Sequence, residues 1–366
     1  MDIQEEFMDQ ISKKIDLVED IKMPNLFPRN QWYVCALSKE LSTEKPLARK
    51  ILNTNLVLFR HHNGEAVALE DRCCHRALAL SCGTIERGGI RCGYHGLLYN
   101  ETGKCIEIPG QEKIPNKAKV KAYPIQEQNK IIWFWYGSEE HPTPNCEPPE
   151  YTIHDDTRYV YDGDVYHYDA PYQLIHDNLM DLSHLGYVHL KTIGGNANVH
   201  MNAEMKVEQE GNIVKVVRYM PASEPPPTYK MAYPFKDKVD RWQEIEFKVS
   251  HITIWTGAVD ANTDKLDDPQ RQGFHMRGFH GITPETETTS HYFWTIATNP
   301  RDPEKAEELK ATVVQQTKDT FDEDRVVINE QYQNMLKIPN QNMVDIHVDV
   351  AANRARRIIK DLLQAS

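Results

Sequence analysis

The stretch DRCCHRALALSCGTIERGGIRCGYHGLLYNETGKCIEIPG, residues 71–110, decides how this chain reads. Cys73 and His75 form a C-x-H pair, Cys92 and His95 form a C-x-x-H pair, and residues 76–91 separate the two. Each pair offers one thiolate and one imidazole. Two cysteines on one iron and two histidines on the other make a ligand set for a [2Fe-2S] centre, in which neutral imidazoles lower the negative charge and raise the potential. A structural zinc ion also takes two cysteines and two histidines. Zinc sites of that composition usually set Cys beside Cys and His beside His, whereas both loops here are mixed. Gly93 and Gly96 give the second loop the backbone freedom of a tight turn.

Outward from this stretch, short β-prone runs continue in both directions. QWYVCAL, NLVLFR, EAVALED, GIRCGYHGLLYN and KIIWFWYG are separated by turn formers such as His62-Asn63-Gly64 and Arg87-Gly88-Gly89. Residues 27–140 therefore read as an all-β module. The proline-rich HPTPNCEPP, residues 141–149, disfavours helix and central strand and opens a second module, residues 141–366. That module carries a helical stretch at 172–190, then strand-like runs (NIVKVVRYM, WQEIEFKVSHITIWTG, SHYFWTIAT), then helices near 303–335 and 344–363. The expected class is α+β. Residues 1–26 begin MDIQEEFMDQISKKIDLVEDIK and read as an amphipathic helical extension; the acidic start is unlike a signal peptide and points to the cytoplasm.

A chain of 366 residues exceeds the usual single core. Apolar residues make up 40%, charged residues 26%, and no apolar run approaches the ~20 residues that span a bilayer. A net charge of -12 excludes the broad basic surface of a nucleic-acid or anionic-membrane binder. Seven cysteines without an export signal read as thiols and metal ligands rather than a disulfide framework, with Cys74 and Cys82 assigned to packing.

Residues 71–110 resemble the Rieske domain of ring-hydroxylating oxygenases and their O- and N-demethylase relatives. Respiratory Rieske proteins carry two further cysteines where this chain has Leu78 and Tyr94, so the resemblance is to the oxygenase or ferredoxin type. In the second module Asn178, Asp181, His184 and His189 follow the pattern N-x-x-D-x-x-H-x-x-x-x-H, which resembles the iron-binding helix of the same oxygenases. A five-residue step turns about 140° on an ideal helix, so both histidines reach one metal only if the helix bulges or breaks. Gly186 is placed to allow that. A facial triad needs one carboxylate besides the two imidazoles. FDEDRVVI, residues 321–328, resembles the family's E-D-x-x-V/I motif and makes Asp324 the third ligand, with Asp322 and Glu323 as rivals. The resemblance gives Asp181 a different role, as a hydrogen-bonded bridge from His184 to a cluster histidine, His75, of a neighbouring subunit in a head-to-tail homotrimer.

Residues 239–300 resemble the vanillate O-demethylase and dicamba monooxygenase type, most clearly at ITPETETTSHYFW. This implies the catalytic subunit of a terminal oxygenase, its second domain built on a central antiparallel sheet of helix-grip type. It also implies a [2Fe-2S] cluster, a mononuclear Fe(II) and O2 as co-substrate. Electrons would come from NAD(P)H through a separate ferredoxin, flavin reductase or both, to hydroxylate or demethylate a small aromatic molecule. His280 and Lys248 are the expected substrate contacts, suited to an anionic group. Trp242, Trp255, Tyr292, Phe293 and Trp294 are candidates for an aromatic-substrate pocket or for ordinary core. The rivals are ring dihydroxylation with the same metals and an electron carrier without catalytic iron.

Overall fold

The computed structural model describes residues 26–365 apart from 264, 265, 267, 269, 340 and 341. Apart from Leu26, the expected N-terminal helix lies outside the described residues. The first module holds β1 (Gln31–Leu37), β2 (Leu47–Ile51), β3 (Thr54–Arg60), β4 (Ala66–Glu70), β5 (Thr84–Glu86), β6 (Gly89–Arg91), β7 (Leu98–Tyr99), β8 (Cys105–Glu107), β9 (Ile125–Gln128) and β10 (Ile131–Tyr136). They pair as three small antiparallel sheets, β1-β10-β9, β2-β3-β4 and β5-β6-β7-β8. The run expected as one strand from Gly89 to Asn100 is two strands, because residues 92–97 leave the ladder as a loop between β6 and β7.

Residues 137–151 contain neither strand nor helix, as their prolines dictate. The second module then runs β11 (Val160–Tyr168), α1 (Tyr172–Met180), α2 (Leu185–Val188), α3 (Ala197–Met201), β12 (Glu204–Glu210), β13 (Ile213–Ser223), α4 (Pro227–Ala232), β14 (Val239–Lys248), β15 (His251–Asp260), β16 (Phe274–Pro284), β17 (Ser290–Thr298), α5 (Ala306–Lys337) and α6 (Val350–Ala365). Its strands form one seven-stranded antiparallel sheet, ordered β11-β17-β16-β15-β14-β13-β12. β11 escapes sequence reading because VYDGDVYHY lacks clean alternation. The helix expected over 172–190 breaks at Asp181, whose φ of −127° and ψ of 101° are extended. The last two helices begin later than expected, at Ala306 and at Val350, each directly after a 3-10 turn.

Strand alternation places the site. On β16 and β17, Phe279, Gly281 and Phe293 share one face, while His280, Ile282, Tyr292 and Trp294 share the other. The first face packs on the β1-β10 layer, where Phe279 and Phe293 join Trp32, Val34 and Trp133 in one apolar cluster. A side chain at Gly281 would crowd Val34, and Thr283 Oγ1 donates to the Val34 carbonyl at 2.7 Å. The second face meets Phe321 of α5, with ring centroids 5.2 Å from Trp294 and 5.4 Å from Tyr292. Each strand thus joins the two modules on one side and walls the site on the other.

Burial pushes seven imidazoles below their ordinary value: His176, His200, His251 and His280 to about 3, and His154, His275 and His291 to about 4. Below about pH 6.5 the unfolded chain binds protons that the folded chain refuses, so this stability is complete above that pH and is lost as the pH falls toward 4. Each such histidine contributes a slope of up to about 1.4 kcal/mol per pH unit in that window. Denaturant midpoints should therefore drop steeply between pH 7 and pH 5, and a flat profile would contradict the burial described.

Candidate functional site

The two cysteine loops share one backbone design. Cys73 N–H donates to the Leu78 carbonyl at 2.8 Å and Ala77 N–H to the Cys73 carbonyl at 3.0 Å. In the second loop Cys92 N–H donates to Leu97 at 2.8 Å and Gly96 N–H to Cys92 at 3.1 Å. Ala77 (φ 57°) and Gly96 (φ 72°) make the same left-handed turn in each. Cys73 and Cys92 are buried, whereas His75 and His95 are exposed with ring centroids 4.5 Å apart. Burial raises the Cys92 thiol pKa and Cys73 beside it adds to the rise, while the backbone N–H groups of Tyr94 and His95 oppose it. Two inner sulfurs with backbone donors and two outer imidazoles fit a cluster with mixed ligation.

Tyr99 adds a feature that spacing alone could not reveal, since nothing in its sequence neighbourhood marks it. Its hydroxyl lies 3.1 Å from Cys73 Sγ and 3.1 Å from Cys74 Sγ. The assignment of Cys74 and Cys82 to packing is corrected, because both are exposed. The loop that turns Cys73 inward turns Cys74 out.

In the second module, the break at Asp181 starts a 3-10 turn, Leu182–His184, that continues into α2 and releases His189 just beyond its end. This corrects the role given to Gly186, which lies inside α2. A side chain there would overlap Ala197 of α3, so the glycine permits close packing rather than a bend. His184 Nε2 lies 3.4 Å and His189 Nε2 3.1 Å from Asp324 Oδ1. The ligand atoms of the three residues fall within 4.8 Å of one another. Of the three neighbouring carboxylates, Asp322 pairs with Arg325 on the outer side of α5, and Glu323 takes His189 Nδ1 at 2.8 Å. Asp324 alone points inward.

Outer partners fix both rings. His184 Nδ1 donates to the Asp181 carbonyl at 2.7 Å, and Asn178 Nδ2 donates to Asp324 Oδ1 at 3.0 Å. With each Nδ1 engaged, each Nε2 is aimed at Asp324 Oδ1, where a metal would take the place of the hydrogen bond. Burial alone would raise the Asp324 pKa, but hydrogen bonds from His184 and His189 overcome it and hold the carboxylate ionised. Two neutral imidazole nitrogens and one carboxylate on one side fit a non-haem iron with positions left open. The expected Asp181 bridge differs in form. Its carboxylate accepts from Ser183 N–H at 2.8 Å and Ser183 Oγ at 2.9 Å, capping the turn, and its main-chain carbonyl holds His184.

A pocket of about 580 Å3, counting its open mouth, leads to this trio. Leu179, Leu182, Ile254, Met276, Ile296 and Phe321 supply most of its wall, and His280 lines it too. Lys248 does not. Cross-strand register puts Phe247, Ile252 and His280 in one row, so the adjacent Lys248 faces the other side of the sheet, paired with Glu246 at 2.9 Å. The five candidate aromatics lie outside the pocket wall: Trp242 and Trp255 stack under Arg271, Phe293 fills the module interface, and Trp294 and Tyr292 support Phe321 from behind.

A hydroxyl donated to a cluster sulfur stabilises added negative charge, so Tyr99→Phe should lower the cluster potential. One net hydrogen bond of about 1 kcal/mol corresponds to about 40 mV. Redox titration followed by EPR checks it, and an unchanged potential contradicts the contact.

The sequence profile of the Rieske [2Fe-2S] domain matches residues 31–124, and that of the vanillate O-demethylase oxygenase C-terminal domain matches 168–365. A toluene-4-sulfonate monooxygenase system iron-sulfur subunit of Comamonas testosteroni is 34% identical over 345 residues, covering 93% of this chain and 98% of the relative. The oxygenase component of dicamba O-demethylase from Stenotrophomonas maltophilia is 34% identical over 349 residues, covering 92% and 98%. The crystal structure of dicamba monooxygenase bound to dicamba superposes with a TM-score of 0.83 at 30% identity, covering 94% of this chain and 99% of that one. With its paired cysteine–histidine loops and its His-His-Asp pocket, this chain belongs to the vanillate O-demethylase family of Rieske non-haem iron oxygenases, as the oxygenase component that receives electrons from separate proteins.

Proposed function

We propose that this protein oxidises a small aromatic molecule, hydroxylating it or removing a methyl group, with O2 as co-substrate. The observation that carries this reading is that His184, His189 and Asp324 form part of the wall of a largely apolar pocket. An apolar molecule held there presents its edge to the metal position. In this reading His184, His189 and Asp324 hold Fe(II), and Cys73, His75, Cys92 and His95 hold the cluster; when bound, these centres supply one-electron transfer and O2 activation.

The chain's own groups do the rest. Asn178 fixes the Asp324 carboxylate, the Asp181 carbonyl and Glu323 fix the two rings, and Leu182 and Phe321 exclude water. Demethylation follows from the same chemistry: a hydroxylated O- or N-methyl group is a hemiacetal or hemiaminal and loses formaldehyde. The named activities of the relatives, O-demethylase and monooxygenase, favour this over ring dihydroxylation. The buried trio favours it over an electron carrier.

Electrons reach the cluster from NAD(P)H through a ferredoxin, a flavin reductase or both. We place the protein in the cytoplasm, in keeping with seven free cysteines. A head-to-tail homotrimer is the arrangement proposed for transfer between subunits. Support comes from exposed His75, Tyr94 and His95 in the first module and exposed Tyr187 and Leu190 near half-buried Asp181 in the second. Asp181 is then the bridge from cluster to iron.

His184→Ala should keep the cluster's visible absorption and abolish formaldehyde release from methoxylated aromatics supplied with a reductase. Turnover that survives would overturn the reading. Asp181→Asn should also keep both metals while slowing single-turnover reoxidation of the cluster at least a hundredfold; wild-type rates would remove Asp181 from the path.

A further inference from the structure

Rows of side chains cross the pocket-side face of the sheet, and their character changes with distance from the metal trio. His280 and Trp294 belong to the row beside Phe321, which precedes Asp324 by one helical turn. The next row, Ile254, Gly278 and Ile296, is apolar. The row after it is Gln243, Thr256, Met276 and Thr298, of which only Met276 is apolar. The long helix α5 runs across these rows. Arg325 lies over Tyr166 and Lys318 pairs with Asp164, while the register sets Tyr166 against Tyr292, Asp164 against Trp294 and Val160 against Thr298. Going back along α5 from Asp324 therefore leads toward the polar row, and Thr317 stands two turns, about 10 Å, from Asp324 on that side.

Thr256 and Thr317 both line the pocket. Thr317 Oγ1 donates to the Val313 carbonyl at 2.8 Å, so it offers a ligand only a lone pair. The hydroxyl of half-buried Thr256 meets no partner among the described residues and is free to donate or accept. By contrast, Thr320 Oγ1 lies 2.8 Å from the Gln316 carbonyl and 2.9 Å from the Thr192 hydroxyl, and Asn178 holds Asp324. Thr298 Oγ1, in the same row as Thr256 and 1% exposed, is a buried hydroxyl without a partner. Hydrogen-bonding capacity thus goes unused at the end of the pocket remote from the trio, where an unmade bond is costly.

We infer that this end of the pocket, read by Thr256 and Thr317, selects aromatics that carry an uncharged hydroxyl at the end of the ring away from the group being oxidised. A hydroxyl donates and accepts at one atom, which suits the lone pair of Thr317 and the free hydroxyl of Thr256 alike. A site built to bond a hydroxyl rejects the analogue that lacks it, because its own polar groups then stay unpaired. This rests on the oxygenase reading above and adds the polar group its substrate carries.

The test is calorimetric binding to the iron-loaded holoprotein of 4-methoxyphenol and 4-methoxytoluene, which differ only in hydroxyl against methyl. The phenol should bind at least tenfold more tightly, although the methyl compound gains more by leaving water. Equal affinities, tighter binding of 4-methoxytoluene, or a pair of which neither member binds overturns the inference. Thr256→Val combined with Thr317→Val keeps the side-chain shape and removes both hydroxyls. It should bring the phenol down to the affinity of 4-methoxytoluene and leave the latter unchanged, whereas Thr256→Ser with Thr317→Ser should keep the wild-type difference. A difference that persists in the valine variant, or vanishes in the serine variant, overturns the role given to the two threonines. Failure of the oxygenase reading shows separately, as a phenol bound with the expected preference that releases no formaldehyde when electrons and O2 are supplied.

Discussion

A buried carboxylate cannot remain ionised without partners, and Asp324 is such a carboxylate at 5% exposure. Its partners come from separate parts of the chain: Asn178 from α1, His184 from the turn after it, and His189 from the far end of α2. The long α5 must therefore lie across the sheet at one height and rotation, and the helix after Tyr172 must break so that His184 and His189 turn to the same point. Without metal, the same groups satisfy one another by hydrogen bonds. With metal, the lone pairs on both Nε2 atoms and the Asp324 oxygen already converge. The site is thus built before it is filled.

The strands behind it serve the interface and the site at once. Since side chains alternate, β16 gives Phe279, Gly281 and Thr283 to the module interface and His280 and Ile282 to the site side. A register slip of one residue would lose both. This explains why β16 and β17 are buried on both faces although the sheet is antiparallel, and why their sequence does not alternate.

Much of this was legible in the sequence. The cysteine–histidine spacing specified the first site because loops of that kind are local, and the two pairs need only a turn each to converge. The order of helices and strands was readable where apolar periodicity is strong, as in β13 and β14. Other features follow from long-range packing and leave no local mark. The break at Asp181 has no glycine or proline to announce it; the polar Asp181 side chain makes it by capping the next turn. Gly186 looked like the bend because a close approach to Ala197 cannot be seen in one dimension. Lys248 was expected beside His280 from the resemblance alone, and one residue of register sends the two to opposite faces. Nothing local marks the hydroxyls of Tyr99 and Tyr292, and only the fold shows that they reach Cys73 and His280.

The central claim is that one chain holds both a mixed-ligand cluster and a separate iron on His184, His189 and Asp324. It is tested most directly by measuring iron and acid-labile sulfide per chain after anaerobic reconstitution, for the wild type and for Asp324→Ala. The account predicts a third iron beyond the two of the cluster in the wild type. In the variant that iron alone should be lost, with labile sulfide and the EPR signal of the reduced cluster unchanged. A wild type that takes up only the cluster iron, or a variant that keeps the third iron, would contradict it.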